Sequence, residues 1–363
     1  MLKARDAVVQ LKEYHPPLGG RAGLRLDFNE NTAGCSPRVL ARLRALDLEE
    51  LAKYPERDPS EHSVAEFLGL RPEQVILTNG VDEGIHLLCE TYLEPGDEVL
   101  VVVPTFSLYE IYAGATGATV ITVPAESGFR FPAKTLNDRL TPRTRMIAIA
   151  NPNNPTGAVA PEAELLQLAA AAPQAALLVD EAYFDFYGHT LVPRVGEVPN
   201  LFVTRTFSKA YGLAGLRAGV LAGGAEQMRM VRRVASPYNV NAAALACLPD
   251  ALADTQYVAE YVAQVRRGRK RMEQELQALG ITFWPSQANF VLMLIGDKRT
   301  AFVEAMRRRD ILVRDRHRDP GCAGCVRITV GTDAQTDAAI KALREVLAEI
   351  DWHQTELSGA LRG

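Results

Sequence analysis

Leu201-Phe202-Val203-Thr204-Arg205-Thr206-Phe207-Ser208-Lys209-Ala210-Tyr211-Gly212-Leu213-Ala214-Gly215-Leu216-Arg217-Ala218-Gly219-Val220-Leu221 sets an apolar strand on each side of a polar, glycine-punctuated turn. Leu201 to Thr204 and Ala218 to Leu221 are short apolar runs bounded by turn residues, which predicts strands. From Thr206 onward the turn carries one amine (Lys209), two aliphatic hydroxyls (Thr206, Ser208) and one guanidinium (Arg217). An amine among such groups suits a ligand with both a carbonyl and a phosphate, because the amine traps the carbonyl while the others supply donors and charge. Pyridoxal 5′-phosphate carries both groups.

Outward from this turn, strand-like runs alternate with helical spacing: Gln74 to Leu77, Val99 to Val103, Val120 to Val123, Met146 to Ala150 and Ala176 to Val179. Glu83 to Tyr92 has helical periodicity, and Pro95-Gly96-Asp97 marks a turn. The alternation predicts an α/β fold: a large domain whose mixed, mostly parallel sheet is flanked by helices. After about residue 245 the texture changes. Asp254 to Leu279 is rich in charge and helix formers, and then come Phe290 to Leu294, Ala301 to Arg309, Ile311 to Val313, Val326 to Val330 and Ala334 to Ile350. This reads as a smaller α+β domain, with expected boundaries at 1–45 (an N-terminal segment joining the small domain), 46–245 and 246–363.

The 363-residue length favours two domains. A formal charge of -4 gives no pull toward nucleic acid or acidic membranes, so small metabolites are the expected partners. No signal-peptide pattern opens the chain and no uncharged run reaches membrane-spanning length, which predicts a cytoplasmic protein. Five cysteines make no disulfide framework. Cys322 and Cys325 form a C-x-x-C pair, but a structural zinc needs about four ligands and only His317 is near in sequence, so they read as two small thiols in a glycine-rich loop. The run Arg266, Arg267, Arg269, Lys270, Arg271 reads as a solvated helix face, since it lacks interleaved aromatics.

Polar residues end each strand of the large domain, where an open α/β sheet binds its ligands. Asn151-Pro152-Asn153-Asn154-Pro155-Thr156-Gly157 is a constrained turn able to present an asparagine amide. Asp180, in Asp180-Glu181-Ala182-Tyr183, sits at a strand end and suits holding a pyridinium nitrogen protonated.

In this order and spacing the segments resemble the fold-type I pyridoxal-phosphate-dependent aminotransferases, and more closely the histidinol-phosphate aminotransferase group. The resemblance runs from Asp27-Phe28-Asn29-Glu30-Asn31 to Val326-Arg327-Ile328-Thr329-Val330-Gly331-Thr332. It implies that Lys209 forms the Schiff base, that Asp180 pairs with the ring nitrogen, and that Asn154 and Tyr183 donate to the phenolic oxygen. Phe106 stands where the family usually stacks a tyrosine on the ring. Thr206, Ser208 and Arg217 would hold the phosphate, together with Gly80, Val81 and Asp82 at a helix start; the family commonly has a small hydroxyl residue in place of Val81, which leaves backbone donors there. Tyr54 resembles the tyrosine that reaches the neighbouring subunit's cofactor phosphate, which implies a homodimer. Arg327 and Arg314 resemble anion-binding arginines for substrate, with Tyr14 and Asn31 at the substrate end. The implied reaction is a ping-pong transamination between histidinol phosphate and 2-oxoglutarate, giving imidazole-acetol phosphate and glutamate. An aromatic or other amino-acid aminotransferase and a threonine-phosphate decarboxylase fit the same residues.

Overall fold

The computed structural model describes residues 2–15, 19–20 and 22–353. Its strands are β1 (Leu24–Arg25), β2 (Val75–Asn79), β3 (Glu98–Val103), β4 (Thr119–Pro124), β5 (Thr144–Ala150), β6 (Ala176–Asp180), β7 (Leu201–Thr206), β8 (Ala218–Ala222), β9 (Phe283–Trp284), β10 (Phe290–Leu294), β11 (Ile311–Leu312), β12 (Arg314–Asp315) and β13 (Cys325–Thr329). A seven-stranded sheet has the order β2-β8-β7-β6-β5-β3-β4. Only β8 runs against its neighbours, so the other strands share one direction and their carboxyl ends share one edge. The expected mixed, mostly parallel sheet is what forms.

The reason lies in the sequence of each strand. Central strands covered on both faces read as continuous apolar runs, and every residue of β6 and β8 is buried. Leu77, Leu100, Ile147, Leu177 and Val203 face one helical layer, while Ile76, Val99, Val101, Leu178 and Leu221 face the other. The reversal at β8 follows from its connection. The turn Phe207–Arg217 holds no helix long enough to carry the chain back across the sheet, so β8 pairs antiparallel with β7.

A second sheet, β12-β13-β10-β9, is antiparallel, and β1 pairs in parallel with β11. The N-terminal segment is thereby tied to the C-terminal part of the chain. Helix Thr255–Ala278 covers the predicted charged stretch; Arg266, Arg267 and Lys270 are exposed as expected, while Arg269 is buried. Arg266 donates to the Phe186 carbonyl, Arg267 and Arg271 pair with Asp333, and the buried Arg269 donates to the Ala288 carbonyl. Cys322 and Cys325 are buried beside Trp284 and Phe129, and no cluster of metal-ligating side chains occurs among the described residues.

Candidate active site

At the common edge of the large sheet, a cavity of about 370 Å³ opens between the two sheets. Lys209, Asp180, Tyr183, Asn154, Phe106, Val81, Asp82, Thr206, Ser208, Arg217, Arg314, Arg327 and Tyr14 all line it. Lys209 follows β7, and its Nζ donates to the Phe28 carbonyl at 3.1 Å. Asp180 ends β6, one strand away. Its Oδ2 accepts from Tyr109 Oη at 2.5 Å, and its Oδ1 accepts from Thr204 Oγ1 at 3.0 Å and the Ala182 amide at 3.1 Å. Burial nevertheless outweighs these three donors and pushes the carboxyl's pKa up to about 6. Such a buried acid, three donors notwithstanding, gains from a cationic partner.

The asparagine turn after β5 divides its labour. Asn151 exchanges hydrogen bonds with the Ala160 backbone, and Asn153 holds Pro104 and Thr156, so both fix the turn. Asn154 is left to face the cavity, with its oxygen engaged by Arg327 Nη1 and its amide nitrogen as a donor. Tyr183 is buried; its oxygen accepts from Asn29 Nδ2 at 2.9 Å, which leaves its own proton to donate. Phe106 meets Tyr109 edge to face, with centroids 5.8 Å apart.

Opposite lies an anion cradle. Gly80 caps the helix Val81–Tyr92 with φ 76° and ψ 171°, a conformation essentially reserved for glycine. A Cβ there would lie 2.3 Å from Arg217 Nη2, and one on Gly219 would lie 2.7 Å from the Gly80 carbonyl carbon. Two missing side chains therefore let Arg217 lie against the helix start. Arg217 itself adopts a left-handed conformation (φ 55°), held by a 2.9 Å ion pair with Asp82. Helix amides, a guanidinium and the Thr206 and Ser208 hydroxyls thus surround one corner.

Arg327 on β13 is buried; it donates to the Asp27 carbonyl at 2.6 Å, and its Nε makes no hydrogen bond. Burial first, then Arg316 and Arg314, push its pKa down to about 9. A guanidinium so strongly disfavoured is poised to gain from an anion. Arg314 lies 5.0 Å from the Phe28 ring centroid.

Two named residues lie elsewhere. Asn31 does not line the cavity: its amide donates to the Ala210 carbonyl at 2.8 Å and its oxygen accepts from the Ala33 and Gly34 amides. Tyr54 is exposed and stacks on Tyr238, away from this chain's cavity. Conversely, Asn29, Tyr109, Arg316 and Asp319 line the cavity without having been singled out. Asn29 carried a signal in its segment, since asparagine tolerates the left-handed backbone it adopts (φ 57°). Tyr109, three residues beyond Phe106, carried none.

A sheet of this topology with an amine and a buried acid at its carboxyl edge is the scaffold of fold type I transferases. Residues 21–343 match the model of the family described as aminotransferase class I and II. The chain is 35% identical to the histidinol-phosphate aminotransferase of Moorella thermoacetica, over 95% of this chain and 93% of that protein. It is 37% identical to histidinol-phosphate aminotransferase 2 of Methylococcus capsulatus, over 89% and 90%. Its fold matches a solved histidinol-phosphate aminotransferase from Sinorhizobium meliloti in complex with pyridoxal-5′-phosphate, with TM-score 0.86, 24% identity and coverage of 96% and 99%. It also matches the aspartate aminotransferase of Thermus thermophilus with maleate, with TM-score 0.77, 24% identity and coverage of 90% and 92%. The chain belongs to the class I and II aminotransferases, a family of transaminases that work with pyridoxal 5′-phosphate.

Proposed function

We propose that the protein transfers the amino group of histidinol phosphate to 2-oxoglutarate, a step of histidine biosynthesis in the cytoplasm. The observation that carries this reading is the near full-length similarity, at 34–37% identity, to a series of proteins named for that activity. An arginine-rich cavity wall suits both amino donors, because guanidinium groups bind the carboxylates of glutamate and the phosphate of histidinol phosphate alike.

The residues present fit the cofactor. The corner where Gly80 and Gly219 lack a Cβ takes a phosphate, held by the helix amides at Val81 and Asp82, by Thr206 and Ser208, and by Arg217. Asp180 would hold the ring nitrogen, Asn154 and Tyr183 the phenolic oxygen, and Phe106 a ring face without a hydroxyl of its own. When bound there, the cofactor supplies an aldehyde carbon that an amine can occupy and a ring that withdraws electrons from the substrate carbon. Lys209 would hold the cofactor's aldehyde through its Nζ and, as a free amine, would serve as the base that takes up the proton of the substrate carbon on Nζ. Asp180, whose charged form burial disfavours, would be held in that form by a protonated ring nitrogen beside it. Arg327 orients the substrate's anionic group, and Arg314 and Tyr14 border the far end of the cavity.

In this reading residues 46–245 hold the cofactor, while 1–45 and 246–363 build the substrate end. A second copy of the chain contributes Tyr54 to the phosphate in a homodimer. Half-reaction spectra test the proposal: mixing with histidinol phosphate and with glutamate should each change the cofactor's visible absorbance, while phenylalanine should not. No change with histidinol phosphate sinks the substrate assignment. Lys209→Ala should lose both turnover and the absorbance of lysine-bound cofactor, and an unaltered spectrum would remove the lysine from its role.

A further inference from the structure

Three guanidinium groups crowd one face of the β12–β13 hairpin. Arg314 stands directly opposite Arg327 in the antiparallel register. Arg316 comes two residues later, its amide donating to the Cys325 carbonyl at 3.0 Å, so it falls on the same face. All three line the cavity that holds Lys209. Like charges set directly across strands repel, and burial leaves little water to screen them. Of the carboxylates lining the cavity, Asp82 is engaged by Arg217, Asp180 by Tyr109, and Glu30 lies 3.7 Å from Arg25. Asp319 pairs with the arginine cluster, through Arg316. Both partners are largely enclosed, at 13% and 25% side-chain exposure.

We propose that Arg316 and Asp319 form a displaceable pair that selects substrates bearing a phosphate monoester. The phosphate takes the place of Asp319 on Arg316 and shares Arg314; the inference rests on the histidinol-phosphate reading above. A carboxylate has one charge and two oxygens, which one guanidinium fork satisfies. A phosphate monoester carries about -1.5 to -2 at neutral pH and three oxygens, and it needs a second fork. Asp319 neutralises Arg316 until such an anion arrives. It also competes against monoanions that bind too weakly to displace it, which is discrimination by an opposing partner.

The test uses the cofactor-loaded enzyme, so that the cofactor's own phosphate corner is filled. Inorganic phosphate and, separately, maleate are titrated by calorimetry into wild type, Arg316→Gln, Arg316→Lys and Asp319→Asn, and half-saturation by histidinol phosphate is measured beside them. Arg316→Gln should weaken phosphate binding about tenfold and maleate binding less than about threefold, the loss of one charge-assisted contact. Arg316→Lys should recover part of the phosphate affinity. Asp319→Asn should tighten phosphate binding several-fold, because Arg316 no longer has to leave a partner. A purely structural ion pair would instead make Arg316→Gln and Asp319→Asn shift binding in the same direction, and that result overturns the proposal. So does a wild-type enzyme that binds no inorganic phosphate. If phosphate binding responds as stated but histidinol phosphate does not react, the pair stands and the substrate assignment falls.

Discussion

At the residue scale, Asp180 is the group whose environment and chemistry are most at odds. Its pKa is raised by burial from 3.8 to about 6, so the carboxyl carries no penalty below the lower value, a growing one between the two, and a constant one above. The sign is thus opposite to that of a salt-bridged carboxylate: in the cofactor-free protein Asp180 removes stability as pH rises, by about 3 kcal/mol in all. Urea unfolding at pH 4.5 and 7.5 should show Asp180→Asn gaining on wild type at the higher pH. Because Asp185 is raised similarly by burial, the informative quantity is the difference between the two proteins. Tyr109→Phe takes away a donor that lowers the Asp180 pKa, so the same difference curve should move to higher pH. An unmoved curve would mean that the Tyr109 contact does not tune the acid. Neither effect was legible in the sequence. Tyr109 reads as an ordinary helix aromatic, and only the fold brings its hydroxyl to a carboxylate 71 residues away.

At the scale of elements, the decisive feature is the meeting of β2, β8 and the helix that starts at Val81. Gly219 stands opposite Thr78 in the antiparallel β2–β8 pair, and a Cβ on it would meet the backbone of Gly80, which follows the end of β2. Gly80→Ala would place a methyl group within 2.3 Å of Arg217 in a backbone region costing about 1–3 kcal/mol for other residues. We expect the variant to fold with lowered stability and to bind pyridoxal 5′-phosphate at least tenfold more weakly, as read by titrating cofactor-free protein. Wild-type affinity in that variant would separate the glycine from the phosphate corner. The sequence presented these strands plainly, because apolar runs of five or six residues between turns leave little choice of element. It did not present the short strands β1, β9 and β12, two residues each, whose pairing depends on partners far along the chain.

At the scale of the whole molecule, the N-terminal segment crosses to the C-terminal sheet and returns to the cavity. Asn29 accepts from Thr329 Oγ1, 300 residues away, and donates to Tyr183, so both ends of the chain converge on the candidate ring site. No helix among the described residues is long and apolar enough to cross a membrane. The proposed homodimer has a sharp test. In a two-fold dimer with shared sites, mixing Lys209→Ala with Tyr54→Ala subunits leaves one intact site in each heterodimer. Activity at limiting cofactor should therefore rise to about a quarter of wild type after subunit exchange. Two inactive parents that stay inactive when mixed would show that Tyr54 serves its own subunit or none.

The sequence by itself determined the alternation of strands and helices, the sheet's mixed and mostly parallel character, and the family, because these follow from local periodicity, turn chemistry and ordered motifs. Only the tertiary structure decided that Asn29 and not Asn31 reaches the cavity, that Arg217 bends left-handed against Gly80, and that Arg316 joins Arg314 and Arg327 on one face. Each of those outcomes depends on side-chain direction and on contacts between segments distant in the chain, which no local pattern encodes.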